Sequence, residues 1–235
     1  MRTDHPFRLL PWMTIFFIAM AFLESAVVVY LRALYYPEGF RFPLVPMHPA
    51  LVATEMGREL ATMAMLLAPA ALVTRRALER FAWFCVGFGI WDIFYYVWLK
   101  VLLDWPASLA EPDLLFLLPL PWVGPVWAPC LIAVGLIALG LMIHWRRSTD
   151  RGYRLGRLTW GLLITGALIM IASFVAIPFG RSTGQQPEEA DRPGLSASLG
   201  VSEDDFSTVW YSVGMAVAAA GMYRIAPKRG VLLKK

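Results

Sequence analysis

"PALVATEMGRELATMAMLLAPAALV", residues 49–73, decides how the chain is read. Its only ionisable side chains are Glu55, Arg58 and Glu59, and nearly everything else in it is apolar. A helix in water would need a broad polar face, and three charges on a single stripe do not make one. The stretch is long enough to cross a hydrocarbon core of about 30 Å, which takes roughly 20 helical residues. It reads as a membrane span that carries charges for a reason.

The rest of the chain agrees. Of 235 residues, 58% are hydrophobic and 16% charged, with a mean hydropathy of +0.58. Soluble globular domains usually carry about a quarter charged residues. Charge-poor apolar windows recur at Pro11–Ala33, Pro49–Val73, Phe81–Leu103, Val126–Trp145, Leu158–Phe179 and Phe206–Tyr223. These windows are continuous rather than alternating, which disfavours barrel strands. The expected fold is all-α: a polytopic membrane bundle of about six transmembrane helices forming one integral domain over residues 1–235. Helices 1–3 fill 1–104 and a Pro/Trp-rich outer loop 105–125. Helices 4 and 5 fill 126–179, a flexible outer loop 180–205, and helix 6 with a basic tail 206–235. The 180–205 stretch is rich in Gly, Ser, Pro and acids, a linker composition. Near the N-terminus, Ala19-Met20-Ala21 mimics a signal-peptidase site, but the apolar run continues to Leu31, as in an uncleaved signal anchor.

Lys and Arg in the connections fix an expected orientation. Fifteen lie on one side, in the N-terminal segment, around Arg75–Arg80, in Arg146–Arg157 and in the C-terminal tail; five lie on the other, and Arg58 lies between. Both termini should therefore be cytoplasmic, in a bacterial inner membrane. The net charge of +4 then reflects orientation, not nucleic-acid binding. The basic Arg146–Arg157 loop is also placed to touch anionic headgroups. Cys85 and Cys130 should lie far apart in depth, so no disulfide is expected between them.

The helices fall into two chemical groups. Helices 4–6 carry no mid-membrane charge, and small residues recur at helical spacing in Gly161/Thr165 and Gly214/Ala218/Gly221. Such faces let helices approach closely in lipid. Helices 1–3 carry polar stripes. On helix 2, Thr54, Glu55, Arg58, Glu59 and Thr62 gather on one side; on helix 3, Asp92, Tyr95, Tyr96 and Lys100 do so, with Gly89 a turn below; on helix 1, Glu24 and Arg32 share a face with Val28. At about 1.5 Å per residue, Glu24, Glu55, Arg58, Glu59, Asp92 and Tyr96 all fall roughly 8–18 Å below the outer surface. Separate exposure of these groups to lipid would cost several kcal/mol each, so they should face one another or water. With four acids and one arginine at that depth, one or more carboxyls should be protonated at neutral pH. The candidate ligand- or proton-binding residues are Glu24, Glu55, Arg58, Glu59, Asp92, Tyr95, Tyr96 and Lys100. Arg58 would anchor an anion or the two glutamates. Glu59 and Asp92 would titrate, Tyr96 would relay protons, and Glu24 would join from helix 1.

After helix 3, "DWPASLAEPDLLFLLPLPWVGPVWAP" (residues 104–129) holds six prolines, which forbid a long regular helix, and tryptophans suited to the interface. It reads as a re-entrant or surface-lying lid, or else a stiff interfacial connector. The run Trp91–Pro129, "FLESAVVVYLRALYYPEGF" in helix 1 and "EMGREL" in helix 2 together resemble a group of uncharacterised bacterial integral membrane proteins, over about the first 130 residues. That resemblance supports the boundaries of the polar half and carries over no catalytic or binding role.

Other chemistries find little support. No P-loop, His-Glu-x-x-His, haem-attachment or dinucleotide motif occurs. None of His5, His48 and His144 is placed to complete a carboxylate metal site or a haem site, so no metal is expected. Three readings stay open: binding of a small molecule, ion or proton in an outer-leaflet pocket of helices 1–3; a structural or assembly subunit of a larger membrane complex with a buried ion network; and an intramembrane enzyme acting on a lipid-derived substrate. Partners are the bilayer itself, a small-molecule or lipid ligand, and a membrane-protein partner or second copy; the cofactor, if one exists, is not legible.

Overall fold

A computed structural model describes residues 8–38, 48–117, 121–182 and 206–226, without the side chains of 177–182. Most of the 180–205 linker, the N-terminal residues before Arg8 and the tail beyond Ala226 lie outside the described residues. The order is α1 (Leu10–Tyr35), α2 (Pro49–Val73), α3 (Ala77–Leu103), β1 (Pro112–Phe116), β2 (Trp122–Pro125), α4 (Trp127–Thr149), α5 (Arg157–Ser182) and α6 (Thr208–Tyr223). Proline at the first turn opens α1 and α2, where its missing N–H costs nothing, and the His48 ring accepts the Ala50 N–H at 3.3 Å. α3 ends at Asp104, whose φ of 52° turns the chain out of the helix.

Helices α1 to α5 are each long and apolar enough to cross a membrane, with mean hydropathies of 1.3 to 2.1 in their most apolar windows. The chain is therefore a multi-pass membrane protein. The sixth expected span is a helix, but α6 has 16 residues, short of the roughly 20 a perpendicular span needs.

α3 is the axis of the bundle, packing against α1, α2 and α4, while α5 packs against α6 and β2. Without water to squeeze out, these helices need close approach and internal polar links. At Gly89 and Gly140 the α3 and α4 backbones come so near that a Cβ would sit 2.4 Å from the Ala133 carbonyl oxygen and 2.5 Å from that of Ala82. The same device joins α5 to α6, where a Cβ at Gly166 would lie 2.7 Å from the Gly214 carbonyl oxygen. The Gly214/Ala218/Gly221 face thus packs as expected, but its partner is Gly166; Gly161 has open space around it. Between α1 and α3, Ser25 Oγ donates to the Tyr95 carbonyl at 3.0 Å and Trp98 Nε1 to the Ile18 carbonyl at 3.2 Å. Cys85 and Cys130 are both free thiols.

The all-α expectation needs one correction, between α3 and α4. β1 and β2 pair as an antiparallel hairpin, Asp113 with Gly124 and Leu114 with Val123, with an irregularity before Phe116 pairs with Trp122. The prolines that exclude a helix fall where strands tolerate them, since Pro112 and Pro125 face each other at the open end of the ladder. There the chain is tied back by Val126 N–H to the Glu111 carbonyl (3.1 Å) and Trp127 N–H to the Leu109 carbonyl (2.8 Å). Gly124 lets the hairpin lie on the Phe174 ring, 2.7 Å from where a Cβ would be.

Candidate functional site

The polar stripes of α1, α2 and α3 converge beside the hairpin as two linked groups. The first ties α1 to α2. Arg58 ion-pairs with Glu24 across the helices, and its Nε donates to Glu55 Oε2 at 2.8 Å one turn away. Thr62, a turn further along α2, donates to Glu24 Oε2 at 3.0 Å. Glu24 and Glu55 keep 11% and 7% of their side-chain surface, so the arginine neutralises them where solvent screens little. Periodicity explains the assembly: positions 55, 58, 59 and 62 share one face of α2, turned toward α1 and α3.

Glu59, expected to titrate with Asp92, bonds the hairpin. Its Oε1 accepts the Leu117 N–H at 2.8 Å, just past the end of β1. A sheet edge inside an apolar bundle leaves backbone donors without water, and the carboxylate of α2 satisfies one of them. Glu59 is ten residues from the start of α2, roughly 15 Å down the helix. The end of β1 is therefore tied to a point well inside the length of α2.

The second group lies between α3 and the hairpin. The Tyr96 hydroxyl donates to Asp113 Oδ2 at 3.1 Å, and both residues are buried. Burial pushes the Asp113 carboxyl up to about 6, with Arg32 and the Tyr96 hydroxyl holding it from rising further. Asp92, one turn below Tyr96, is 8% exposed, and among the described residues it has no hydrogen-bonding or ion-pairing partner; the charge it senses is the like charge of Asp113. Tyr95 joins the groups, within electrostatic range of Arg32, Arg58, Asp92 and Asp113. The Trp91 indole N–H is buried and without an acceptor among the described residues, and its ring stacks on Tyr95 with centroids 6.2 Å apart.

Of the eight residues expected from sequence, seven meet in or around this cluster. Lys100 does not. Its ammonium bonds the Asp104 carboxylate (2.7 Å) and the Pro106 carbonyl (3.1 Å), securing the end of α3. Trp98, on the same helix, is bonded to α1. Asp113 was not among the residues expected from sequence, and Arg32 was read only as sharing a face with Glu24. Arg32 lies over the Trp105 ring at 4.0 Å, while Glu111 accepts from Trp105 Nε1 at 2.6 Å and from the Ala107 N–H at 2.7 Å. The available signal for Asp113 was an acid set directly before the apolar Leu114–Leu117 run. Among the described residues, no group of three or more His, Cys, Asp or Glu converges as a metal site would require.

No protein-family model, curated protein or solved structure matches this chain.

Proposed function

We propose that the protein binds a proton, a small cation or a small polar ligand in the cluster between α1, α2, α3 and the hairpin. On the charge asymmetry of its connections, this cluster lies in the outer half of a bacterial inner membrane, with both termini cytoplasmic. One observation carries the reading: Asp92 is buried within electrostatic range of a second acid, and among the described residues no cation is paired to it. A carboxylate in such a place needs a proton or a positive ligand, because the cost of leaving it charged and alone is several kcal/mol. Arg58 is already committed to Glu24 and Glu55. Tyr95, Tyr96 and Asp113 supply hydroxyls and a carboxylate for a guest or a proton chain, and the Trp91 N–H supplies a free donor.

Infrared difference spectroscopy of the full chain in nanodiscs, stepped in pH, tests this. The wild type should show a protonated-carboxyl band that Asp92→Asn removes or shifts. Adding the guest class, first as Na⁺ and then as a small organic cation, should displace the same band if a cation is the ligand. A spectrum unchanged by Asp92→Asn and by both cations would overturn the proposal.

A second reading rests on a different observation. Arg58 and Thr62 bond across to Glu24 of α1, Glu59 bonds the hairpin, and Glu55 holds Arg58 from within α2. On that reading the network holds the bundle together, in a subunit of a larger assembly. Co-purification of stoichiometric partner chains in mild detergent would favour it. Action on a lipid-derived substrate has no observation of its own beyond the buried cluster.

A further inference from the structure

The opposite end of the bundle holds a cavity of about 690 Å³, formed by the start of α3, the end of α4 and the connection to α5. We infer that this cavity binds a phosphate-bearing anion, in the form of an anionic phospholipid headgroup. Four arginines line it, Arg76, Arg147, Arg151 and Arg154, over a floor of Phe81 and Trp160, whose rings meet at 5.0 Å. The volume is that of a ligand site.

The local charges are unbalanced. Glu79 takes Arg147 at 2.9 Å and Arg76 at 3.2 Å, and this ion pair, with Arg147 Nη1 donating to the Tyr153 carbonyl at 3.0 Å, stiffens the inner wall. Asp150 spends one carboxylate oxygen on the Gly152 N–H at 2.8 Å. Arg151 and Arg154 have no ion pair among the described residues, yet both line the cavity. Ala77 and Leu78, in the first turn of α3, line it too, and Arg76 in the capping position offers those amides no side-chain acceptor. Free first-turn amides and guanidinium forks both suit phosphate oxygens.

The aromatic floor and the flank of α5 select a lipid. Trp160, Ile164 and Leu168 follow one another at four-residue intervals on one face of α5, and Ile164 and Leu168 are 53% and 61% exposed. An acyl chain leaving the cavity at Trp160 has an apolar track directly ahead of it. Basic pockets at the ends of membrane helices bind anionic headgroups by this geometry.

Native mass spectrometry of the full chain in mild detergent tests the inference. The probes are dioctanoyl phosphatidylglycerol, dioctanoyl phosphatidylcholine and glycerol 3-phosphate. Phosphatidylglycerol should bind about ten times more tightly than phosphatidylcholine. The double variant Arg151→Gln/Arg154→Gln, in exposed positions without ion pairs among the described residues, should lose about tenfold of that, and Arg224→Gln, just past the end of α6, should lose none. Glycerol 3-phosphate that competes only at much higher concentration supports the lipid; equal affinity for it would overturn the lipid and assign the site to a soluble phosphate ester. Equal binding of the two lipids, or an equal loss in Arg224→Gln, would overturn the site itself.

Discussion

Replacing Arg58 by Gln strips the charge that Glu24 and Glu55 share while keeping much of the side chain's volume. Both carboxylates are at least 89% buried by the exposures of 11% and 7%, and Arg58 itself keeps 23%. Removing one partner of a buried ion pair costs about 3–5 kcal/mol, because the remaining charge stays desolvated. The residual access to Arg58 puts the expected loss near the lower end, about 3 kcal/mol. The triple variant Arg58→Gln/Glu24→Gln/Glu55→Gln removes every charge of the triad and leaves Thr62 an amide oxygen to donate to, so it should recover most of that loss and sit within about 1 kcal/mol of wild type. Arg58→Lys should fall between, since a single ammonium cannot present a fork to carboxylates on two helices. Unfolding in mixed micelles of rising dodecyl sulfate fraction, followed by far-UV circular dichroism, reads these differences. If Arg58→Gln costs under about 1 kcal/mol, or the triple variant is as unstable as the single, Arg58 is not neutralising these acids and the packing argument fails.

Asp113 should make stability pH-dependent. Its folded carboxyl is pushed up to about 6 from an ordinary value near 3.8, so the folded state holds the proton more tightly; the contribution is full below about 4 and lost as pH rises through about 6. That is up to roughly 3 kcal/mol for a group this buried, and Asp113→Asn should flatten the profile in the same micelle titration. Glu59→Ala should speed hydrogen exchange at the Leu117 amide at least tenfold, whereas Glu59→Gln, which keeps an acceptor oxygen, should leave it near wild type. Gly166→Ala should destabilise by more than about 1 kcal/mol by forcing α5 from α6, while Gly161→Ala, into open space, should be neutral in the same assay.

Much of this was legible in the sequence because membrane helices obey two strong rules, apolar length and a 3.6-residue period. The stripe at residues 55, 58, 59 and 62 and the depth at which it meets Glu24 both follow from them. The hairpin was not legible. Strand pairing joins residues distant in sequence, and the prolines that exclude a helix say nothing about which residues will face each other. Asp113 was missed for that reason, since its burial depends on the Asp113–Gly124 pairing and on contact with Tyr96. The Gly161 row and the Gly166 row of α5 are equally plausible from spacing alone, and only the helix that packs there distinguishes them. Lys100 shares the stripe of Asp92 and Tyr96 by spacing, but its long side chain reaches the helix end, which spacing does not show.

The bonds of α2 also bear on how the chain enters a bilayer. Three charges in the first half of a helix oppose insertion by at most about 8 kcal/mol, the figure for charges at its centre, and α2 has the lowest mean hydropathy of the five spans, 1.3 against 2.1 for α1. The groups that quiet those charges come from both directions along the chain. Glu24 has already been synthesised when α2 emerges, but the Leu117 amide that meets Glu59 follows more than forty residues after Val73. α2 would then remain beside the translocation machinery with α1 as its companion, and commit to lipid only once α3 and the hairpin have left the ribosome. On that account a nascent chain truncated before residue 117 should leave α2 accessible to aqueous reagents, and one carrying the complete hairpin should not.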